Sequence, residues 1–424
     1  MLGFLLKGIL RDRSRSLFPV ITVMAGVLIF VFYHGFMDGY EVSIIRQNAR
    51  FETGHLKIVT RAYAEMIDQK PYDLGFLGIQ ADLSRWKKQY PEYNWMPRIN
   101  FGALLDVPDA VGKTREQGET FVYGVDLLSS NKTLEYDALH LEKALKRGSL
   151  PMKSGDILLS DNSFTLLKLK LGDRVSLISS TLNGAMAIRN FNVVGTVVFN
   201  TELLDRGGAI ADISDIRELL DMPEGAAEIL AIHKSGRYNQ REVAAIRDEF
   251  NSKYCPADEF PPLMLTLGDQ NNLGFMLAYM RKMMWIMNLV FMFILGIILW
   301  NAGLMNGIRR YGEIGVRLAI GEEKRHIYYA LLTEALVIGI IGGLIGAALG
   351  LLISYVFNHI GMDMTAYNRN SSVLSENVIY VSFSIKACLM GLIPGIGATI
   401  LGTALAGIAI IRRQTSQLFK ELEA

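Results

Sequence analysis

The sequence predicts a membrane protein: four transmembrane α-helices plus a large α+β extracytoplasmic (periplasmic) domain inserted between helices 1 and 2. Three observations predict it. Four apolar stretches are each long enough to cross a hydrocarbon core of about 30 Å, which takes roughly 20 helical residues. The short segments between them differ sharply in Lys and Arg content. The long segment between the first two stretches mixes strand and helix signals and is large enough to bury its own core. Buried helices of a water-soluble protein are the competing reading, but these are shorter and carry a polar stripe.

Taken in order, residues 1–16 set Leu2, Leu5, Leu6, Ile9 and Leu10 among Lys7, Arg11, Arg13 and Arg15, the pattern of a cytoplasmic amphipathic helix on the membrane surface. Residues 17–37 form transmembrane helix 1. The run exceeds a signal-peptide h-region, and His34 to Asp38 offers no small-x-small cleavage site, so it reads as a retained anchor. Residues 38–282 form the periplasmic α+β domain, entered through a polar, helix-like stalk at 41–51. Strand-like runs at 55–59, 121–125, 174–178 and 191–195 alternate with helix-like runs at 81–89, 212–220 and 240–250. Turn signals such as Gly172-Asp173, Asn183-Gly184 and Gly207-Gly208 separate them.

Transmembrane helix 2 takes 283–305, and a cytoplasmic coupling loop or helix takes 306–326. Transmembrane helix 3 takes 327–357, a short periplasmic loop 358–378, transmembrane helix 4 residues 379–411, and a cytoplasmic tail 412–424. Orientation follows from charge. Arg309, Arg310, Arg317, Lys324 and Arg325 crowd the middle loop, and Arg412, Arg413 and Lys420 the tail, whereas the loop between helices 3 and 4 carries only Arg369. An excess of Lys and Arg marks the cytoplasmic side, so both termini are expected there.

Composition also excludes. A net charge of +1 points to no nucleic acid and no acidic substrate. The two cysteines, Cys255 and Cys388, fall in the outer domain and in the fourth span, so no disulfide framework is expected. Gly112-Lys113-Thr114 resembles the end of a phosphate-binding loop, but Val107 stands where that loop needs glycine, so it reads as a surface turn. No histidine pairs with another histidine or a cysteine at metal-ligand spacing, and no Gly-x-Ser-x-Gly elbow is present. His55, His140 and His233 read as surface or packed residues. No catalytic, metal-ligating or cofactor-binding residue is therefore assigned. Any ATP and Mg would be bound by a separate ATPase subunit.

Three patterns remain. In the middle loop, Ile308, Tyr311, Ile314, Gly315 and Leu318 share one helical face, Arg310, Glu313 and Arg317 another, and Gly321 ends the pattern. A short charged amphipathic helix suits docking on a partner, and it equally suits a solvated loop. Met276, Met280, Met283 and Met287 follow the spacing 4, 3, 4 into the second span, with Phe291 continuing. Methionine fits varied apolar partners, so the stripe is a candidate substrate cavity for acyl chains; a helix seam against a twin membrane subunit is the alternative. Gly342, Gly346 and Gly350 in the third span, and Ala398, Gly402 and Ala406 in the fourth, have the small-residue spacing of close helix packing.

The middle-loop run Arg310-Tyr311-Gly312-Glu313-Ile314-Gly315-Val316-Arg317-Leu318-Ala319-Ile320-Gly321, followed by Arg325 and by Glu334 at the start of the next span, resembles the signature of the FtsX/MacB-like ABC transporter permease superfamily. The chain resembles its lipoprotein-releasing (Lol-type) permease subunits most in Gly35 to Tyr40 and in Thr53 to Ile58, although Asp38 replaces their asparagine and the tail lacks their proline and Ala-Leu-Arg run. The resemblance implies a permease that works by mechanotransmission and is not itself an enzyme. Its implied partners are a cytoplasmic ABC ATPase in two copies, a second permease subunit, membrane lipid, and possible lipoprotein cargo with a periplasmic acceptor or adaptor. Arg310, Glu313, Ile314, Gly315, Arg317, Ala319, Gly321 and Arg325 would couple to the ATPase. Lipoprotein release from the bacterial inner membrane is the leading expectation. MacB-like efflux toward an outer-membrane channel and FtsX-like signalling to a cell-wall hydrolase are the alternatives.

Overall fold

The computed structural model describes residues 13–109, 112–130, 132–199, 201–254, 260–309, 316–318, 320–364, 366, 378–383 and 385–412. They fall into two compact units. One comprises the segments within 1–41, 278–362 and 379–424; the other comprises 42–277 and 363–378.

The first unit holds the membrane helices. Helix α1 is Arg13–Asn48. The outer domain then carries α2 (Arg61–Glu65), α3 (Gln80–Gln89), α4 (Lys132–Leu139), α5 (Leu141–Ala144), α6 (Asp161–Leu166), α7 (Glu202–Gly207), α8 (Ile213–Leu220) and α9 (Gln240–Lys253). The chain returns through α10 (Leu273–Arg309), α11 (Lys324–Ile360) and α12 (Ile385–Arg412). Helices α1, α10, α11 and α12 are long and apolar enough to cross a membrane.

The boundaries differ from the sequence reading in physically simple ways. No break separates 1–16 from 17–37 among the described residues, because α1 runs unbroken from Arg13 through the first span and the stalk. Pro19 lies in the second turn of this helix, where its missing N–H leaves the Arg15 carbonyl without its intrahelical partner. Helix α11 begins at Lys324, before 327, and ends at Ile360. Helix α12 begins at Ile385, after 379, because the segment before it is extended and pinned to α1: the Ser382 N–H donates to the Gly35 carbonyl at 2.8 Å.

In the outer unit the strands are β1 (Leu56–Thr60), β2 (Tyr93–Pro108), β3 (Thr114–Val125), β4 (Leu145–Gly148), β5 (Asp156–Ser160), β6 (Arg174–Ser180), β7 (Met186–Val197), β8 (Gly208–Asp212), β9 (Glu228–His233) and β10 (Pro262–Thr266). Their order is β10-β1-β9-β2-β3-β8-β5-β7-β4, and β6 bridges β2 and β7. That bridge closes the ring β2-β3-β8-β5-β7-β6, a six-stranded barrel in which β3–β8 and β5–β7 run parallel. Closure removes the exposed strand edges that would otherwise template aggregation. The barrel is filled by residues such as Phe101, Val122, Leu159, Leu177 and Phe191.

The sixteen residues of β2 belong to two layers. Tyr93 to Arg98 pair with β9, and Ile99 onward pair with β3. The β10-β1-β9-β2 layer packs α3 and α9 over Leu56, Ile58, Trp95 and Ile229, with Trp86 and Phe250 as the helix anchors. Side-chain caps start the short helices: Thr60, Ser160, Asp212 and Asn239 each accept a backbone N–H of the following turn. Gly112-Lys113-Thr114 lies at the β2–β3 turn, with Gly112 at φ 85° and the Lys113 N–H donating to Asp109.

Candidate functional site

Small residues bring the membrane helices together, and their neighbours can be named. A side chain at Gly342 would come 2.9 Å from the Val20 carbonyl, one at Gly346 would collide with the Met24 carbonyl, and one at Gly350 would come 2.9 Å from the Val31 Cβ. The glycine stripe of α11 is thus the groove into which α1 fits. On α12, a Cβ at Gly402 would lie 2.8 Å from the Trp300 backbone nitrogen of α10, and Ala398 and Ala406 are buried. The shared core is Val23, Val27, Val31, Leu295, Leu299, Ala347 and Ala398, with Cys388 packed against it. Gly35 and Gly39, one turn apart on α1, abut the backbone of Ser382 and Tyr380. That contact accounts for both glycines of the segment from Gly35 to Tyr40.

Helix α10 is the least covered of the four. Only 17% of its most apolar window is buried, against 39%, 44% and 33% for the others. Met276 and Met280 are half-buried, Met283 and Met287 are exposed, and Phe291 packs on the bundle core beside Phe30. The stripe is open at its middle.

Of the coupling candidates, Arg310, Glu313, Ile314, Gly315 and Ala319 lie outside the described residues. Arg317, Gly321 and Arg325 are placed. The Gly321 N–H bonds the Leu318 carbonyl at 3.1 Å and the Glu322 N–H bonds the Arg317 carbonyl at 3.0 Å. With Gly321 at φ 96°, this pair is the glycine-terminated stop that ends many helices. The chain turns there and enters α11, where the Arg325 guanidinium sits over the Tyr329 ring.

The outer domain contains a second candidate, a cavity of 740 Å³. His55, His140 and His233, read from sequence as unremarkable, all line it. The strand pairing of β1 and β9 brings His55 and His233 together: the His233 N–H donates to His55 Nδ1 at 3.2 Å. An accepting Nδ1 holds His55 neutral, and burial, followed by the nearby His233, lowers its pKa to about 4. Gly54, at φ 61°, lets the chain turn into β1, since a side chain there would meet the Leu56 carbonyl. Burial first, then Arg50, Lys143 and Arg46, lower the His140 pKa. Among the described residues no group of three or more His, Cys, Asp and Glu forms a metal site.

Sequence reasoning also missed two buried ion pairs. Lys57, on the all-buried strand β1, meets Glu228 of β9 at 2.6 Å, and Asn100 of β2 donates to the other Glu228 oxygen. Arg98 of β2 makes a two-point bond to Glu135 of α4, at 3.1 and 2.7 Å, and its remaining nitrogen donates to the Arg50 carbonyl at 2.6 Å. The only sequence signal for either is a charged residue inside an apolar strand-like run.

The family described as FtsX-like permease C-terminal matches residues 285–415. The chain is 38% identical over 92 residues to the macrolide export ATP-binding/permease protein MacB of Neisseria gonorrhoeae, covering 21% of this chain and 14% of that protein. It is 25% identical over 248 residues to the uncharacterized ABC transporter permease protein Rv0987 of Mycobacterium tuberculosis, covering 58% of this chain and 26% of that one. The matches thus span a minor part of each relative's length. A solved structure of the periplasmic region of MacB from Actinobacillus actinomycetemcomitans aligns at 14% identity and a TM-score of 0.33, over 50% of this chain and 87% of that one. The FtsX-like permease match that follows the inserted α+β domain, and the similarity to MacB and to an ABC transporter permease, support the resemblance of the chain to the FtsX/MacB-like ABC transporter permease superfamily.

Proposed function

We propose that the chain is the permease subunit of a bacterial inner-membrane ABC transporter working by mechanotransmission, with both termini cytoplasmic and the large domain periplasmic. Two copies of a cytoplasmic ATPase hydrolyse ATP, and the segment ending at Gly321 receives their motion. The observation that carries the reading is the FtsX-like permease match over residues 285–415, which takes in the helices on either side of the charged middle loop.

The cargo proposed is lipidated protein. Met283 and Met287, exposed on the least covered helix, support it, because methionine adapts to acyl chains of varied shape. MacB-like efflux of periplasmic substrates toward an outer-membrane channel is the second reading, favoured by the name of the MacB relatives. The test is to co-purify the chain with its ATPase and measure turnover with a triacylated peptide and with a macrolide. Photo-crosslinkers at Met280 and Met287 then identify what the stripe touches. Stimulation and crosslinking by the lipidated peptide support the first reading, and stimulation by the macrolide alone supports the second. Crosslinks solely to another permease subunit sink the cavity and leave a seam.

A further inference from the structure

We propose that the outer-domain cavity is a binding site for a phosphate-bearing anion. Its walls carry Arg46, Arg50, Lys234 and Arg237 against a single acid, Asp137. Arg46, Lys234 and Arg237 form no ion pair with a carboxylate among the described residues. Surface cations of a nearly neutral protein are ordinarily interspersed with acids, so four on one concave wall make a focused positive potential.

The cations come from two elements that the fold brings together. Arg46 and Arg50 stand four apart near the end of α1 and its continuation, on one face. Lys234 and Arg237 flank the turn after β9. That turn closes through the Gly236 N–H to the His233 carbonyl at 2.8 Å, with Gly236 at φ 68° and nothing within 4 Å of where a side chain would be. The Ser235 hydroxyl lies 2.7 Å from His233 Nδ1, which fixes the ring beside the turn. Guanidinium groups bind phosphate oxygens through two parallel N–H donors, so a wall with three arginines and a lysine suits the charge and the free oxygens of a phosphate group.

Size and lining narrow the ligand further. A bare ion would leave most of 740 Å³ unfilled, and Val42, Ile45, Met96, Leu134 and Ile232 make part of the wall apolar. A phosphate joined to an apolar portion fits both halves. A lipid headgroup and free phosphate share the charged part of this chemistry, and a titration separates them.

The full chain in phosphatidylcholine nanodiscs is titrated with dihexanoyl phosphatidylglycerol and with inorganic phosphate, and dihexanoyl phosphatidylcholine serves as the control. Saturable binding of either anion, weakened at about 0.5 M salt, is expected. The Arg46→Ala/Arg237→Ala pair should weaken it at least about tenfold, and Arg46→Lys/Arg237→Lys should restore part of the loss. Lys234→Glu, at an exposed side chain, provides the same readout should the alanine pair unfold. Binding of phosphatidylglycerol without phosphate assigns the site to a lipid headgroup, and binding of both assigns it to the phosphate alone. No saturable binding of either anion, or binding that the cation variants leave unchanged, overturns the proposal.

Discussion

Replacing Glu135 with alanine should destabilise the outer domain far more than removal of any surface ion pair. Arg98 is fully buried and Glu135 nearly so, and two of the three guanidinium nitrogens bond the carboxylate. Removing the acid leaves a cation with no water to solvate it and only the Arg50 carbonyl as a partner. Breaking one side of such a pair costs about 3–5 kcal/mol, whereas an exposed pair such as Lys253–Glu249 is screened by solvent and contributes far less. At 3 kcal/mol, local opening becomes roughly 150 times more frequent. Hydrogen exchange of the full chain should therefore accelerate by about that factor in α4 and in the adjoining part of β2. Arg98→Met combined with Glu135→Leu should recover most of the loss, since an apolar pair leaves no charge stranded. Acceleration below about fivefold in Glu135→Ala would mean that water reaches Arg98 and that the buried-pair reasoning is wrong.

His55 predicts a pH dependence. Its pKa is near 4 in the folded domain against an ordinary 6.5, so the unfolded chain binds the proton first. Stability is then full above pH 6.5 and falls as pH drops from 6.5 to 4, by about 3 kcal/mol; hydrogen exchange in β1 followed across that range should show the slope, and His55→Gln should flatten it. Gly346→Leu should separate α1 from α11 by forcing a side chain into the Met24 carbonyl, and should lower the thermal stability of the purified chain by about 1–3 kcal/mol or more; an unchanged melt refutes the close packing. An impermeant thiol reagent on intact cells should label a cysteine at Ser129 and spare one at Glu322; the reverse pattern refutes the orientation drawn from charge. Glu313→Ala/Arg317→Ala should abolish substrate-stimulated ATP hydrolysis by the partner while the outer domain stays folded, and wild-type coupling would remove these residues from the interface.

The parts of this molecule that were legible in its sequence are those set by local periodicity. Four apolar runs specify four helices because a bilayer requires every backbone group to bond within its own segment. The runs at 121–125, 174–178 and 191–195 lie in strands, and those at 81–89 and 240–250 and, after its capping Asp212, 212–220 in helices, because alternation and a period of 3.6 are read within a few residues. Ring closure was not legible. It rests on β6 pairing with both β2 and β7, and the pairing of β6 with β2 joins residues about seventy positions apart that share no local signal.

The cavity was hidden for the same reason, and its case shows what kind of site a single sequence conceals. His55, His140 and His233 are each isolated along the chain, so spacing rules for ligands pass over them. Arg46 and Arg50 read as part of a polar stalk, and Lys234 and Arg237 as an ordinary turn. What joins them is the antiparallel register of β1 against β9, which sets His55 beside His233, together with the Arg98–Glu135 bond, which ties α4 to β2 and the carbonyl of Arg50. Glu135 itself contributes nothing to the cavity wall, whereas its neighbours Leu134, Asp137 and Ala138 do. Anion binding and the buried pair should therefore fail together in Glu135→Ala, although no cationic side chain of the cavity has been altered. Full anion affinity in that variant, with α4 exchanging fast, would show that the cations alone make the site and that the helix merely covers it.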